Sequence, residues 1–384
     1  MRSSTESPNG STNRGGEMAA PHEETQRGFS RRAFIASGMA VGVGAGLGPF
    51  GGAVSALADK PASTKLGTGD AAILRFLAAA EILETDFWQQ YNELGGVQDG
   101  EVPGGSGSEA YRKALEVLDE DMPQYIHDNT EDEFTHFTFL NAYLESRGAK
   151  AVDLKEFASL PSSKATGAQQ IGRLTNLMEL TVDTSWWTRY RSSTKNPDLG
   201  DTFAQAVPAL AEGEFPAIPR SDADLEPANH IQAIANTAGF HFATIEQGGT
   251  SLYPALAQRT RDAEALRVVL SIGPTEAMHF QTWQDKAGNA PALTDPTNPK
   301  LVFPNLKESS NEELKANLIM PEPAPFLRRS LPIVSIVRPT GTEGIAMGVV
   351  EFLTNMGLFK GQSAGFFEAL KQLAREADAA KRRG

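Results

Sequence analysis

Two copies of one four-residue pattern most constrain what this chain can fold into. Glu133 and His136 form one Glu-x-x-His pattern, and Glu276 and His279 form the second. On an α-helix, residues three apart lie on the same face, so each copy directs a carboxylate and an imidazole at the same point. The chain has only 6 histidines among its 384 residues, so a pattern that uses two of them carries weight. The repeat predicts two helices that contribute Glu and His to one site.

A four-helix bundle holds two metal ions when two Glu-x-x-His helices meet two further helices that each supply a glutamate. The apolar spacing of residues 70–94 predicts the first of these helices, with Asp70 as its N-cap. Glu81 and Glu84 lie at the edge of its apolar stripe. A buried carboxylate needs a charge partner or a metal, so both glutamates are candidate ligands.

The two patterns lie on helices predicted at 131–146 and at about 262–286. Thr130 and Glu133 also match a capping box, which offers Glu133 a purely structural role. A proline lies two residues before the second pattern, and proline inside a helix removes a hydrogen bond. The second helix is therefore expected either to begin again at this proline or to bend beside the site.

The remaining glutamate has two candidates. Glu179 lies on a helix predicted at 171–191, whereas Glu246 is followed by small residues and then by Tyr253. The spacing from Glu246 to Glu276 suits one helix, a short turn and half of the next helix. Glu179 is too far from Glu276 for adjacent helices without an insertion. The spacing therefore favours Glu246 and keeps Glu179 as the alternate.

With these residues the chain resembles the ferritin-like superfamily, and within it the secreted type that includes the desiccation-related proteins. In that group the first ligand helix reads roughly Leu-Glu-x-Leu-Glu-Ala-x-Phe-aromatic. The stretch from Ala80 to Trp88 is similar, with an aromatic residue seven positions after Glu81. Glu246 and Tyr253 repeat the same spacing, with small residues between them.

The resemblance covers about 70–150 and 230–290, and it implies an all-α fold. We expect a ferritin-like four-helix bundle with additional helices and long irregular extensions. Four carboxylates carry the charge that two divalent ions neutralise, and oxygen and imidazole donors suit iron or manganese. The implied ligands of two Fe or Mn ions are Glu81, Glu133, His136, Glu246, Glu276 and His279, with Glu84 and Glu179 as alternates.

Residues 1–58 are predicted to be a twin-arginine signal peptide. Arg31 and Arg32 precede a weakly apolar, glycine-rich stretch at 36–54, and residues 56–58 have the small-x-small form of a cleavage site. We therefore expect the twin-arginine export machinery as a partner and a periplasmic or extracellular location. No later apolar run is long enough to predict a stable membrane span in the mature chain.

The rest of the chain is expected to divide into two parts. Residues 59–290 form the ferritin-like helical bundle, with an inserted crossover at 150–230. Residues 291–384 form a C-terminal segment in which prolines mark extended wrapping up to 342. Helix is predicted again at 343–383.

Charge and composition exclude several functions. The net charge of −13 argues against nucleic-acid binding, and the absence of cysteine excludes disulfides and thiolate metal sites. A homo-oligomer is left open. The remaining histidines with a helical context, His127, His230 and His241, are interpreted as structural.

Two functions from different classes fit these observations. The first is an exported oxidoreductase whose dinuclear metal centre acts with dioxygen or peroxide. The second is a non-catalytic secreted stress or envelope protein whose metal site is structural or vestigial. A metal store would need a hollow shell of many subunits, which the long irregular segments would hinder.

Overall fold

The computed structural model describes residues 65–102, 104–315, 320–338 and 343–381, which belong to one compact unit. The predicted signal peptide lies outside the described residues. The α-helices of the described chain are α1 (Thr68–Gly95), α2 (Glu109–Glu116), α3 (Met122–Ser146), α4 (Ser185–Arg189), α5 (Pro208–Glu212), α6 (Ala228–Ala257), α7 (Ala263–Ala287), α8 (Ile345–Asn355) and α9 (Ala364–Asp378). Strands β1 (Leu293–Thr294) and β2 (Val302–Phe303) form one short antiparallel pair. The predicted all-α class is therefore confirmed.

Four long helices form the body of the molecule. Helix α1 packs along α3, and α6 packs along α7. The second pair follows the first after a long connection between Ser146 and Ala228, in which short 3-10 turns alternate with irregular chain. Two helix pairs joined by one long crossover are the arrangement of ferritin-like bundles. None of the helices in the described ranges is long and apolar enough to cross a bilayer.

An aromatic cluster fills the centre of the bundle below the predicted ligands. The rings of Trp88, Phe242 and Trp283 come from α1, α6 and α7, and all three side chains are buried. Their centroids are 4.8 Å apart for Trp88 and Phe242, 5.2 Å for Trp88 and Trp283, and 4.7 Å for Phe242 and Trp283. Large rings at these distances hold the helices together through area burial and ring packing.

The predicted N-cap of the first helix is wrong. Helix α1 begins after Gly67, which makes no side-chain cap. The carboxylate of Asp70 instead accepts hydrogen bonds from the backbone N–H groups of Arg261 and Asp262, at 2.8 and 3.2 Å. Asp262 in turn caps α7, because its Oδ1 accepts from two N–H groups of the first turn. Asp70 therefore joins the start of α1 to the turn before α7.

The capping box predicted at Thr130 is also wrong. Helix α3 begins at Met122, more than two turns earlier, so Thr130 lies inside it. The hydroxyl of Thr130 donates to the carbonyl of Ile126 at 2.6 Å, as threonine does within a helix. Glu133 is thereby released from any capping role and faces the bundle centre. Helix α7 runs unbroken through Pro274, so the expected restart at that proline does not occur.

The helix predicted at 171–191 is reduced to α4. The chain before it is extended and pairs with distant segments, Arg173 with Leu160 and Leu180 with Phe215. The Arg173 guanidinium donates to the Glu93 carboxylate of α1 at 2.6 Å, and both side chains are almost fully buried. This stretch therefore packs against the bundle through tertiary contacts, which override its helical spacing.

The C-terminal part returns to helix as predicted, but in two pieces. Helices α8 and α9 are separated by a turn in which Gly357 and Gly361 have φ of 90° and 96°. Only glycine adopts such angles without strain. Helix α9 packs against both α8 and α1, and so covers the outer side of the first ligand helix.

Candidate metal centre

The structure brings the six predicted ligands together at the centre of the bundle. They form two overlapping groups, and within each group one donor atom from every residue lies within 4.8 Å of the others. The first group is Glu81, Glu133, His136 and Glu276, and the second is Glu133, Glu246, Glu276 and His279. Each of the four long helices contributes, because α1 supplies Glu81, α3 the first pattern, α6 Glu246 and α7 the second pattern.

Glu133 and Glu276 belong to both groups. Each is the glutamate of a Glu-x-x-His pattern, and the two face each other from α3 and α7. Glu81 belongs only to the group with His136, and Glu246 only to the group with His279. The site therefore has two equivalent halves and two shared carboxylates.

His136 directs Nδ1 into the site. This atom is 3.0 Å from Oε2 of Glu133, 3.3 Å from Oε2 of Glu81 and 3.6 Å from Oε1 of Glu276. Its Nε2 lies 3.3 Å from the hydroxyl of Thr275, whose proton is donated to a backbone carbonyl. The hydroxyl oxygen can therefore accept from Nε2–H. Nδ1 donates to the carboxylates when it is protonated, and its lone pair is free for a metal ion when it is not.

His279 repeats this arrangement in the second half. Its Nδ1 is 3.2 Å from both Oε1 of Glu133 and Oε2 of Glu246. Its Nε2 is 3.0 Å from Oδ2 of Asp132, a carboxylate at the surface of α3. A ligating histidine commonly donates its second N–H to a carboxylate or another oxygen, which fixes the ring. Both imidazoles have such an outer partner here.

Outer contacts also fix the two unshared carboxylates. The Tyr253 hydroxyl donates to Oε1 of Glu81. The indole N–H of Trp88 donates to Oε1 of Glu246 at 3.0 Å, and the Asn129 amide donates to the same oxygen at 3.1 Å. The indole N–H of Trp283 donates to Oδ1 of Asn129 at 2.6 Å, so the amide cannot rotate away.

Glu276 differs from the other three carboxylates. It is fully buried, and neither of its oxygens has a hydrogen-bond partner. An unpartnered buried carboxylate is costly. Burial raises the pKa of Glu276 well above its usual range, and Glu133 and Glu81 raise it further. A cation at the shared position would satisfy both oxygens.

The other ionisable groups show the same crowding of negative charge. Burial raises the pKa of Glu81 to about 7, and burial also raises the pKa of Glu246. Burial opposes ionisation of Glu133, but His136 and His279 outweigh it and lower the pKa of Glu133. Burial acts to lower the pKa of both histidines, yet the adjacent carboxylates raise it well above the usual value. The site therefore favours bound positive charge, whether protons or metal ions.

Two glycines make room for the site between α6 and α7. A Cβ atom at Gly249 would lie 2.2 Å from Oε2 of Glu276. A Cβ atom at Gly273 would lie 2.6 Å from the Cβ of Tyr253. The helices can approach this closely only because both positions lack a side chain. The shared carboxylate and the tyrosine of the site depend on this space.

The alternates lie apart from the ligand groups. Glu179 is half exposed and pairs with Lys360 at 2.6 Å, far from the bundle centre. Glu84 borders a small apolar pocket between α1, α6 and α8, lined by Leu83, Phe87 and Phe352 among others. Burial raises the pKa of Glu84 well above its usual range, and Glu81 raises it further. Glu84 is therefore close to the centre electrostatically, but it is in neither group.

His230 and His241 have protein partners. His230 Nδ1 lies 2.9 Å from Oδ1 of Asp295, which ties α6 to the segment after β1. His241 Nδ1 lies 2.8 Å from the Tyr91 hydroxyl, and burial lowers the pKa of this histidine to about 3. Neither belongs to a group of potential metal ligands among the described residues.

Several residues of the site could not be predicted from the sequence. Asn129 and Asp132 carry no motif, and only their places on the face of α3 next to the ligands could have indicated them. Thr275 follows the proline that drew attention to α7, but its contact with His136 needs the fold. Trp88 and Tyr253 were included as part of the repeated Glu-then-aromatic spacing, and the structure shows that each donates to a carboxylate.

The chemistry of the residues present fits divalent cations. Four carboxylates and two imidazole Nδ1 atoms converge, and neither oxygen of one of these carboxylates, Glu276, has a hydrogen-bond partner. This is an oxygen-rich, mixed donor set of the kind that iron and manganese accept. The site is compatible with metal binding through these groups. A purely structural network could use neutral polar side chains, so the gathering of charged side chains in one buried place favours metal binding.

A family model described as ferritin-like domain matches residues 69–289. The match covers more than half of the chain, so the protein belongs to the ferritin-like domain family. This confirms the superfamily inferred from the motifs. Searches of curated proteins and of solved structures found no match.

Proposed function

We propose that this protein is an exported oxidoreductase of the secreted, desiccation-related type, with two Fe or Mn ions in a carboxylate-bridged centre that acts with dioxygen or peroxide. The observation that supports it best is the convergence of four fully buried glutamates on two histidine Nδ1 atoms, with both oxygens of Glu276 unpartnered. Four carboxylates in one buried site repel one another, and two divalent ions balance their charge.

The two overlapping groups indicate how the residues would divide the ions. Glu81 and His136 would hold one ion, and Glu246 and His279 the other. Glu133 and Glu276, which belong to both groups, would be shared by the two ions. A bound pair would supply two electrons, one per ion, which together with two protons is what reduction of hydrogen peroxide to two waters requires.

The protein's own residues prepare this chemistry. Thr275 and Asp132 accept from Nε2–H of His136 and of His279, respectively. With the proton held on Nε2, the Nδ1 lone pair of each histidine is available to bind a metal ion. Tyr253 donates to Glu81 and so orients it. In the metal-free site burial raises the pKa of the Glu81 carboxyl to about 7, so at neutral pH binding of an ion would compete with its proton. The Trp88, Phe242 and Trp283 rings keep water from the lower side of the site.

The two histidines are the candidate ligands with the most exposed side chains. All four carboxylates are fully buried, whereas the side chains of His136 and His279 are 10% and 11% exposed. Both histidines lie where α3 meets α7, and small molecules would reach the centre there. So little exposure favours small oxidants such as dioxygen and hydrogen peroxide over bulky substrates.

Metal content and reactivity test this proposal together. The exported protein, purified untagged, should contain two Fe or Mn ions per chain by elemental analysis. Loaded anaerobically with ferrous iron, it should develop near-ultraviolet absorption when dioxygen or peroxide is added. His136→Ala and His279→Ala should lose most of this response, and His241→Gln should retain it because that ring contacts Tyr91 instead.

The outcomes separate the alternatives. Absence of metal under all loading conditions would exclude the dinuclear centre. Two ions per chain with no response to either oxidant would exclude the redox activity and favour the non-catalytic envelope or stress protein with structural metals.

The export part of the proposal rests on the sequence alone. Changing both Arg31 and Arg32 to Lys should leave unprocessed precursor inside the cell, because the twin-arginine pair is what the machinery reads. The wild type should begin at Asp59 by N-terminal sequencing. A control variant with Arg2 and Arg14 changed to Lys should be exported normally. Normal export of the Arg31, Arg32 variant would contradict the targeting.

A further inference from the structure

We propose that His127, Asp128 and Glu131 form a separate site for one divalent cation near the start of α3. A ring nitrogen of His127 and one carboxylate oxygen from each acid lie within 4.8 Å of one another. The side chain of Asp128 is 49% exposed, so the site opens to solvent on that side. None of these three residues belongs to the dinuclear centre.

The orientation of His127 indicates a ligand. Its Nε2 is 3.1 Å from Oδ1 of Asp99, in the loop after α1. A carboxylate only accepts, so Nε2 carries the proton and a neutral ring then presents a lone pair at Nδ1. The side chain is 3% exposed, and Nδ1 has no hydrogen-bond partner. Oδ1 of Asp128 lies 3.7 Å from Nδ1, beyond hydrogen-bond distance.

A buried nitrogen without a partner calls for an explanation. A carboxylate that holds one imidazole N–H while the other nitrogen binds a metal is the common arrangement around ligating histidines. Asp99 and His127 form the carboxylate and the histidine of such an arrangement. A cation beside Nδ1 would complete it, with Asp128 and Glu131 as further ligands.

The sequence places the donors for this purpose. His127 and Glu131 are four apart on α3 and so lie on one face of the helix, with Asp128 next to the histidine. One imidazole and two carboxylates suit a first-row divalent ion such as Mn²⁺, Fe²⁺, Co²⁺ or Zn²⁺. Water would complete the coordination on the exposed side.

The opposite side of the ring is the less favourable position. Asp99, Glu101 and His127 also lie within 4.8 Å of one another. Nε2 already donates to Asp99, however, so a cation there would displace an existing hydrogen bond. Asp99 is therefore a positioning residue, and Glu101 is outside the site.

The site is independent of the dinuclear centre. Asn129, which directly follows Asp128, donates to Glu133 and Glu246 on the inner side of α3. His127 and its acids face the loop after α1 and the solvent instead. Occupation of one site therefore does not require occupation of the other.

Equilibrium dialysis against Mn²⁺ tests the proposal. The purified, chelator-stripped protein would be dialysed at several fixed concentrations of free Mn²⁺, and bound manganese per chain measured. We expect the double variant Asp128→Asn, Glu131→Gln to bind one ion fewer than the wild type. A control with the same charge change at exposed positions of the same region, Glu120→Gln and Glu145→Gln, should bind as the wild type does.

Single variants fix the side of the ring. His127→Gln should also lose one ion, and Glu101→Gln should lose none. Asp99→Asn should weaken binding by roughly 10- to 100-fold while full occupancy is still reached at high Mn²⁺, as expected for an outer partner of a ligating histidine. The double variant changes only the partly exposed acids Asp128 and Glu131, so it keeps the test valid if His127→Gln fails to fold.

The comparison also separates this site from the proposed function. In a Glu246→Gln background the difference of one ion between the His127-site variant and its parent should persist, whatever the centre binds. If Glu101→Gln lost the ion and the double variant did not, the cation would lie on the Nε2 side of the His127 ring, and the proposal would be overturned. Equal binding by the double variant and the wild type would also overturn the proposal, and would leave His127 with only its hydrogen bond to Asp99.

Discussion

Gly249 and Glu276 are matched across the contact of α6 and α7. The carboxylate of Glu276 occupies the space that a side chain at Gly249 would take, since a Cβ atom there would lie 2.2 Å from Oε2. The neighbouring Gly248 has no heavy atom within 4 Å of the equivalent position. One of two adjacent glycines therefore contacts the candidate metal centre, and the other does not.

Gly249→Ala should displace Glu276 and lower the metal content, whereas Gly248→Ala should leave it unchanged. Alanine inside a helix is more favourable than glycine by about 0.5–1 kcal/mol, so Gly248→Ala should if anything raise the melting temperature. Elemental analysis after Mn²⁺ or Fe²⁺ loading, with thermal melts of the stripped proteins, checks both expectations. Full metal content in Gly249→Ala would mean that Glu276 is not a ligand.

Glu246→Gln should lose at least one of two ions, because Glu246 belongs to the group around His279. Glu179→Gln removes the same charge from an exposed pair with Lys360 and should keep both ions. Metal per chain in the two variants, measured side by side, decides between the two candidates. The reverse result would show that the remaining glutamate ligand is Glu179 from the crossover and not Glu246.

Tyr253→Phe should weaken one ion without abolishing its binding. The variant loses the hydroxyl that donates to Glu81 and otherwise keeps the packing. Outer partners of metal ligands are typically worth 10- to 100-fold in affinity, so we expect a loss of about tenfold in a competition titration with a chelator. Tyr111→Phe is the matched control, because it removes a buried hydroxyl that donates to a backbone carbonyl away from the centre. Equal affinities in the two variants would contradict the assignment.

The metal-stripped protein should lose stability as the pH rises from about 5.5 to 8.5. Burial raises the pKa of Glu81 to about 7, and adjacent carboxylates overcome burial to raise the pKa of His136 and His279. The folded state then binds more protons than the unfolded chain, so the stability present at low pH is lost as the pH passes through the folded pKa values. Each such proton is worth about 1.4 kcal/mol per pH unit.

Bound Mn²⁺ should reverse this trend, because metal ions compete with the same protons and bind more tightly as the pH rises. Thermal melts with and without Mn²⁺ across the range provide the measurement. Glu81→Gln serves as the control, since it removes one titrating group and should reduce the slope. If the melting temperature of the metal-stripped protein rose with pH instead, the raised pKa values of Glu81, His136 and His279 would be contradicted.

The ligand helices were open to prediction because helical spacing is a strict constraint. A Glu and a His three apart must share a face once the helix forms, and α3 and α7 place both pairs inward. The same spacing placed both Glu81 and Glu84 at the edge of the apolar stripe of α1, and the resemblance to the ferritin-like first helix favoured Glu81. The spacing needed only local geometry, and the fold supplied the rest.

The failures came where distant contacts decide the local structure. The stretch before Trp186 has enough apolar residues for a helix, yet its chain is extended because Arg173 and Leu180 pair with remote segments. The polar run before Glu133 hid the true start of α3, since Asn129 faces the centre and Asp128 the solvent. No periodicity distinguishes such residues without knowledge of what lies opposite.

The ligands are divided between two helix pairs that lie far apart along the chain. Glu81, Glu133 and His136 belong to the pair before the crossover, and the other three to the pair after it. Ions shared by both pairs would close a long loop of the polypeptide and so restrict the unfolded ensemble, as a disulfide does. This chain has no cysteine. Its buried centre would thus serve as a reversible cross-link between the two helix pairs, which a chelator rather than a reductant would remove.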